Sequence, residues 1–253
     1  SFAEIDNIPK IALESPEFSE ILKTGFTLDN DKDYESITID NEKMSILIFT
    51  SGTTQKSKAV MLCQKNIAAN VNSMTEWENF YETDVNLAIL PFHHAFGMTQ
   101  IVLFISIGMC NTFCEGLRIA KALTEYNVSI LVGVPLIFES MKKVMTKEIQ
   151  KLGMEKKLNL GKKLSRFLMF FKIDIRRKLF KQVIDKLGGK LRLMISGAAA
   201  IKPETAKWYN DLGITLIQGY GLSETSPVLA AENDTHMRLG STGLALPGIE
   251  IKI

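Results

Sequence analysis

Cysteine, histidine and tryptophan are scarce in this chain of 253 residues, at three, three and two copies. Cys63, Cys110 and Cys114 are odd in number and show no ligand-like pairing with histidine. Neither a disulfide framework nor a zinc site is therefore expected. They read as small buried side chains in a reduced, cytosolic compartment. Long apolar runs are missing too: stretches such as Ile101–Met109 are too short to span a bilayer. No signal peptide is legible ahead of the fold. There is no internal repeat and no low-complexity linker, so no domain boundary is marked. The Walker pattern Gly-x-x-x-x-Gly-Lys-Ser/Thr is absent.

What remains is ordinary for a soluble globular protein with a substantial core: 46% apolar and 23% charged residues. The net charge of +2 hides an asymmetry. Residues 142–192 carry 17 Lys/Arg against 4 Asp/Glu, which leaves the rest of the chain at about −11. Such a block invites an anionic partner, or is simply a solvated helix face. No nucleic-acid partner is expected.

Strand-like runs alternate with helical patterns. Ser45–Thr50, Val85–Leu90, Ser129–Val132, Leu191–Ser196, Ile214–Gln218 and Ile249–Ile253 read as strands, the first of them buried. Gln64–Glu78, Phe96–Gly108, Pro135–Lys147 and Pro203–Leu212 read as helices. The alternation predicts an α/β fold with a mainly parallel sheet flanked by helices. Leu160, Leu164, Leu168, Phe171, Ile175, Leu179, Val183 and Leu187 recur at helical spacing. Lys162, Lys163, Arg166, Arg176, Arg177 and Lys181 fall mostly between them. This predicts a long basic amphipathic helix, or two in line, packed on the sheet or touching an anionic membrane surface.

Four segments carry chemistry. Thr50-Ser51-Gly52-Thr53-Thr54-Gln55-Lys56-Ser57-Lys58 follows a strand and gathers hydroxyls, a glycine and two lysines. Such a turn can offer N–H, O–H and ammonium donors to one phosphate. Pro91-Phe92-His93-His94-Ala95-Phe96-Gly97 places a histidine pair after a strand. Ser196-Gly197-Ala198-Ala199-Ala200 offers small residues against which a flat ligand could lie. Gln218-Gly219-Tyr220-Gly221-Leu222-Ser223-Glu224 joins an aromatic ring, a hydroxyl and a carboxylate.

Taken together and in this order, the segments resemble the signatures of the adenylate-forming (AMP-binding) superfamily, which includes acyl-CoA synthetases, luciferases and peptide-synthetase adenylation domains. The first resembles Thr-Ser-Gly-(Ser/Thr)-Thr-Gly-x-Pro-Lys-Gly, with Gln55, Ser57 and Ala59 standing where that pattern has Gly, Pro and Gly. The second is similar to the Pro-x-x-His motif and the fourth to Tyr-Gly-x-Thr-Glu, with Ser223 in the threonine's place. The resemblance covers nearly the whole chain, including Gly240–Glu250.

The resemblance implies roles. Thr50, Ser51, Gly52, Thr53, Thr54 and Lys58 would hold the ATP phosphates. Gly197, Ala198, Ala199, Gly219, Tyr220 and Gly221 would form the adenine site. Phe96 and Gly97 would line an acyl pocket, Gly97 leaving it room. His94, Lys58, Ser223 and Glu224 would be catalytic, with Glu224 as the Mg²⁺ ligand. ATP, Mg²⁺ and coenzyme A are the implied cofactors and co-substrates. The family's Thr-Gly-Asp segment, hinge and small C-terminal domain would lie beyond Ile253. Residues 1–253 would be the central part of the large N-terminal domain, incompetent alone. The basic insertion between Pro135 and Leu191 is similar to that of bacterial long-chain fatty acyl-CoA synthetases. The expected reaction is ATP-dependent conversion of a long-chain fatty acid to an acyl-adenylate and then a CoA thioester. Three other readings stay open: an adenylating enzyme for a short, aryl or aminoacyl acid, a nucleotide-binding relative without turnover, and a membrane-binding module built on the basic helix.

Overall fold

The structure is a computed structural model, and it describes residues 15–25, 38–50, 58–114 and 118–252. It divides into two compact units, Ser1–Asp40 and Asn41–Ile253. In the first, helix α1 covers Pro16–Gly25. The Ser15 hydroxyl accepts the Phe18 amide at 3.1 Å, satisfying one of the free donors of the first turn.

The second unit opens with β1 (Met44–Thr50) and β2 (Lys58–Cys63), an antiparallel pair forming its own two-stranded sheet. Thr50 lies opposite Lys58 in the register. The expected strand is present, but it is not buried. Only Ile48 of β1 is shielded, with Val60 and Leu62 of β2, against α2 (Gln64–Trp77), while Leu47 and Phe49 face solvent. A two-stranded ribbon covers one face only, so alternate side chains stay wet.

The main sheet has seven strands in the order β4-β3-β5-β6-β7-β8-β9. Its strands are β3 (Val85–Ala88), β4 (Cys110–Phe113), β5 (Ile130–Gly133), β6 (Leu193–Ser196), β7 (Thr215–Gly221), β8 (Val228–Ala231) and β9 (Leu244–Ala245). The first five in that order run parallel, and β8 and β9 add antiparallel. Between them lie α3 (Ala95–Ile107), α4 (Ile119–Glu125), α5 (Pro135–Lys151), α6 (Glu155–Phe170), α7 (Arg176–Leu179), α8 (Lys181–Asp185) and α9 (Pro203–Asn210). Pro135 and Pro203 open their helices, where the missing N–H costs nothing. Gly108 ends α3 in a left-handed turn at φ 82°.

Both faces of the parallel sheet are covered, and its inner strands β5 and β6 are almost continuously apolar. Leu131, Met194 and Leu216 point into one core with Phe138 of α5, Ile184 of α8 and Tyr209 of α9. Ile130, Val132, Leu193 and Ile217 point into the other, with Val71 of α2 and Leu103 and Phe104 of α3. The buried Tyr209 hydroxyl donates to the Phe138 carbonyl at 2.8 Å, and burial raises its pKa. Asp84, just before β3, accepts from Arg192 Nε at 2.9 Å and from the Ser129 hydroxyl at 2.7 Å. Burial works to raise the Asp84 pKa, but the hydrogen bonds from Arg192, Ser129 and the Tyr81 amide outweigh it and hold the carboxyl below its ordinary value.

Three further expectations need correction. Residues 249–252 form no strand; a turn at Gly248 (φ 77°) precedes them, and Ile251 is exposed. The long basic helix is broken at Lys172 (φ 60°) into α6, α7 and α8. Only its last apolar members, Val183 and Leu187, reach the core, whereas Leu160, Leu164, Phe171 and Leu179 are exposed. Finally, no cysteine is buried: Cys110 is exposed and Cys63 and Cys114 are partly so, although all three are free.

Candidate active site

The carboxyl ends of parallel strands are where an α/β sheet leaves a crevice. Here the chain leaves β3 through Leu90, Pro91 and His94, β5 through Val134, β6 through Gly197 and Ala198, and β7 through Tyr220 and Gly221. All of these line one cavity of about 460 Å³. Its wall is mainly apolar, with Phe80, Phe96, Leu103, Phe104, Ile195 and Ile217, but the buried Glu78, Thr99, Gln100 and Glu232 line it too. Ser223 stands at its rim. A mainly apolar wall with a few polar groups suits a ligand that is largely apolar and carries a polar head.

His94 is the residue before α3, in extended conformation (φ −100°, ψ 138°), and its amide donates to the Pro91 carbonyl at 3.2 Å. Its ring is exposed in the cavity and lies 4.3 Å from that of His93, centroid to centroid. One turn on, Gly97 is buried, and a Cβ there would sit 2.4 Å from the Pro91 carbonyl oxygen. Gly97 thus lines the cavity and also allows the strand-to-helix turn to close. Gly197 plays a matching part across the cavity, since its Cβ would lie 2.7 Å from the Phe96 ring. That close approach joins the wall expected for the acyl group to the turn expected for the adenine. Ala198 holds the left-handed conformation at φ 66°.

Tyr220 projects half-exposed from the end of β7. After it, Ser223–Thr225 form a turn of 3₁₀ helix. The Thr225 hydroxyl bonds within this turn, accepting the Leu222 amide at 2.9 Å and donating to the Pro227 carbonyl at 2.8 Å. Gly221 is obligatory here because a Cβ would stand 1.7 Å from the Pro227 oxygen. Glu224, in this turn, is exposed. Among the described residues no three His, Cys, Asp or Glu side chains gather as a metal cage. A lone exposed carboxylate fits Mg²⁺ better than a closed site would, since that ion keeps waters and phosphate oxygens around one or two carboxylates.

Not every expected residue lines the cavity. Ala199 and Glu224 lie beside lining residues without lining it themselves. Gly219 lines it, with only ordinary contacts around its missing side chain. Ser51, Gly52, Thr53 and Thr54, expected at the phosphates, lie outside the described residues. Their two flanks, Thr50 and Lys58, face each other at the open end of the β1–β2 pair, with the Thr50 hydroxyl 3.5 Å from the Lys58 carbonyl. Lys58 does not line the cavity.

Several residues that fix the cavity were not legible. Asn70 of α2 clamps β8, donating to the Val228 carbonyl at 2.6 Å and accepting the Val228 amide at 3.2 Å. Trp77 donates its indole N–H to the Ala231 carbonyl at 3.0 Å. Gln218 accepts the Ile201 amide at 2.8 Å and donates to the Ser241 carbonyl at 2.7 Å. Glu232, deeply buried, accepts the Gln218 amide at 3.0 Å and the Arg238 amide at 2.8 Å, and burial raises its pKa. Glu78, lining the cavity, also has its pKa raised by burial. Asn70, Trp77, Gln218 and Glu232 join separate segments, and an isolated Asn, Trp, Gln or Glu gives no local signal of that.

The model of the family described as AMP-binding enzyme matches residues 4–253. Fatty acyl-CoA synthetase B of Dictyostelium discoideum is 28% identical over 249 residues, covering 93% of this chain and 37% of that protein. The human long-chain-fatty-acid–CoA ligase ACSBG2 is 31% identical over 226 residues, covering 81% of this chain and 34% of that protein. The chain thus spans about a third of the length of these relatives. Among solved structures, the inhibitor-bound N-terminal domain of FACL13 from Mycobacterium tuberculosis superposes with a TM-score of 0.62 at 17% identity, covering 84% of this chain and 46% of that one. That likeness establishes the fold.

Proposed function

Because the chain belongs to the AMP-binding enzyme family, we propose that it forms the central part of the large N-terminal domain of an AMP-forming acid–thiol ligase. The substrate we infer is a long-chain fatty acid. Its carboxylate attacks the α-phosphate of ATP, pyrophosphate leaves, and the acyl-adenylate then passes its acyl group to the thiol of coenzyme A with release of AMP. One observation carries the reading: His94, Gly197, Ala198, Tyr220 and Ser223, from three separate segments, border one cavity whose wall is mainly apolar.

In this proposal the apolar interior takes the acyl chain and the mouth takes the nucleotide. Tyr220 stacks on adenine, a contact worth about 0.5–1.5 kcal/mol beyond burial. His94 and Ser223 donate hydrogen bonds to charge that builds on the carboxylate and α-phosphate. Glu224 would hold Mg²⁺, which would supply positive charge to neutralise the phosphates. Thr50, Lys58 and residues 51–54 grip the outer phosphates. Most of the rate gain comes from positioning and charge stabilisation. Among the described residues no helix is long and apolar enough to cross a membrane. We place the enzyme in the cytoplasm, in peripheral contact with the membrane in which its substrate dissolves.

The test is exchange of labelled pyrophosphate into ATP by the full-length protein with a panel of acids. Exchange strongest with hexadecanoate is expected. Exchange only with short, aryl or amino acids would move the substrate class, and ATP binding without any exchange would overturn the activity.

A further inference from the structure

Helix α6 is inside out. Its buried residues are Gly161, Lys162 and Ser165, while Leu160, Leu164, Phe167 and Phe170 are 70%, 47%, 63% and 84% exposed. Leu160, Leu164, Phe167 and Phe171 are spaced by four, three and four residues, so they form one straight ridge along the helix. Phe171 and its neighbours already cluster, with ring centroids 5.3 Å apart for Phe167–Phe171 and for Phe170–Phe171.

The orientation is fixed from the opposite side. Asp211, at the end of α9, lies 3.1 Å from Arg166 and 3.9 Å from Lys162. The Lys162 ammonium also sits 5.4 Å from the centre of the Trp208 ring. Gly161 lets the helix approach Phe180 so closely that a Cβ would lie 2.9 Å from that ring. Lys207 also pairs with Asp211 at 3.1 Å, so rolling α6 to bury its exposed leucines would leave Asp211 with that one partner and break the packing on Phe180 and Trp208.

The exposed ridge is flanked by Lys156, Lys157 and Lys163, with Lys172 just beyond its end, all of them exposed. The acidic residues of this stretch do not cancel them. Glu155 lies on a different side of the helix, and Asp174 is taken by Arg176 at 2.8 Å. Arg176 and Arg177, grouped with the basic face from sequence, point inward. Arg176 donates to the Asn210 carbonyl, and Arg177 donates to the carbonyls of Leu191, Gly189 and Gly213.

We propose that this ridge of α6 is the surface by which the protein lies on an anionic lipid bilayer. The leucines and phenylalanines enter the headgroup boundary, and the flanking lysines meet lipid phosphates. A convex ridge with aromatic rings and lysine borders has the form of an interfacial helix, and its charge complements an acidic leaflet. The proposal deepens the peripheral-membrane part of the reading above by naming the surface, and it rests on that part alone.

The experiment is sedimentation of the full-length protein with vesicles of 3:1 phosphatidylcholine to phosphatidylglycerol, or of phosphatidylcholine alone. Two variants accompany it, L164N/F167N/F170N and K156E/K157E/K163E. Wild type should pellet with the anionic vesicles, and each variant should bind roughly tenfold less or worse. Melting temperatures close to wild type would show that both variants fold. A Phe167→Trp protein should shift its emission to the blue on anionic vesicles. Absence of wild-type binding at low salt, or binding unchanged in both variants, would overturn the proposal. So would a dimer that the asparagine variant dissociates while vesicle binding persists, because a second copy would then cover the ridge. Pyrophosphate exchange with detergent-dispersed hexadecanoate reports the chemistry separately, and both variants should retain it.

Discussion

Helices α3 and α6 use apolar residues in opposite ways. In α3, Leu103 and Phe104 sink into the core, and Gly97 at its start lets the preceding turn close around His94. In α6 the buried residues are a lysine, a serine and a glycine, Leu158 packs partly against the core, and Leu160, Leu164, Phe167 and Phe170 face outward. Hydrophobic burial positions the first helix. The second is held by charge pairing on Asp211 and one close helix approach, with only Leu158 packed on the core. An apolar residue is therefore not evidence of a core position; what the opposite face binds decides which way the helix sits.

The comparison can be broken at its two ends, and the largest effect is expected at the cavity. Gly221→Ala would drive a methyl into the Pro227 carbonyl, 1.7 Å from its oxygen. It should abolish pyrophosphate exchange and destabilise the fold by about 1–3 kcal/mol, measured by urea denaturation. Glu224→Gln should lower Mg²⁺-dependent exchange by roughly a hundredfold. Since Glu224 is exposed, its melting temperature should stay put; a large fall would mean that the residue is structural.

Arg177→Ala should separate the inward arginines from the outward lysines. Three backbone carbonyls lose their donor, so stability should drop by about 1–3 kcal/mol while vesicle binding per folded molecule is unchanged. Lost binding in folded Arg177→Ala would place that residue on the outer surface after all.

The smallest effect is one of pH. The Asp84 carboxyl has a folded pKa below its ordinary 3.8. Its contribution to stability is thus complete above that value and is lost as pH falls through 3.8 toward the lower folded value. Asp84→Asn should melt lower than wild type at neutral pH, and the gap should shrink in acid. A gap that widened in acid would reverse the sign of the linkage.

Much of this was legible in sequence, for a physical reason. Strands buried on both faces must be continuously apolar, so β3, β5, β6 and β7 stood out, and so did the proline-led α5 and α9. Three of the four singled-out segments border one cavity, and they stood out because such turns carry unusual residues at fixed spacing. Legibility failed wherever the partner was distant. For β2, β4 and β8 it is pairing, not composition, that makes the strand. The clamps from Asn70, Trp77 and Glu232 bridge segments far apart in the chain. The outward ridge of α6 has the same period as an inward one, and only Asp211, dozens of residues later, reveals its direction.

The central claim is that His94, Ala198 and Tyr220 surround an acyl-adenylate. A crystal structure of the full-length protein with hexadecanoyl sulfamoyladenosine, a stable mimic of that intermediate, tests it most directly. The account predicts adenine against Tyr220, the sulfamoyl group beside His94 and Ser223, and the alkyl chain between Phe96 and Ile217. Density for the mimic elsewhere, or none in this cavity at saturating ligand, would contradict it.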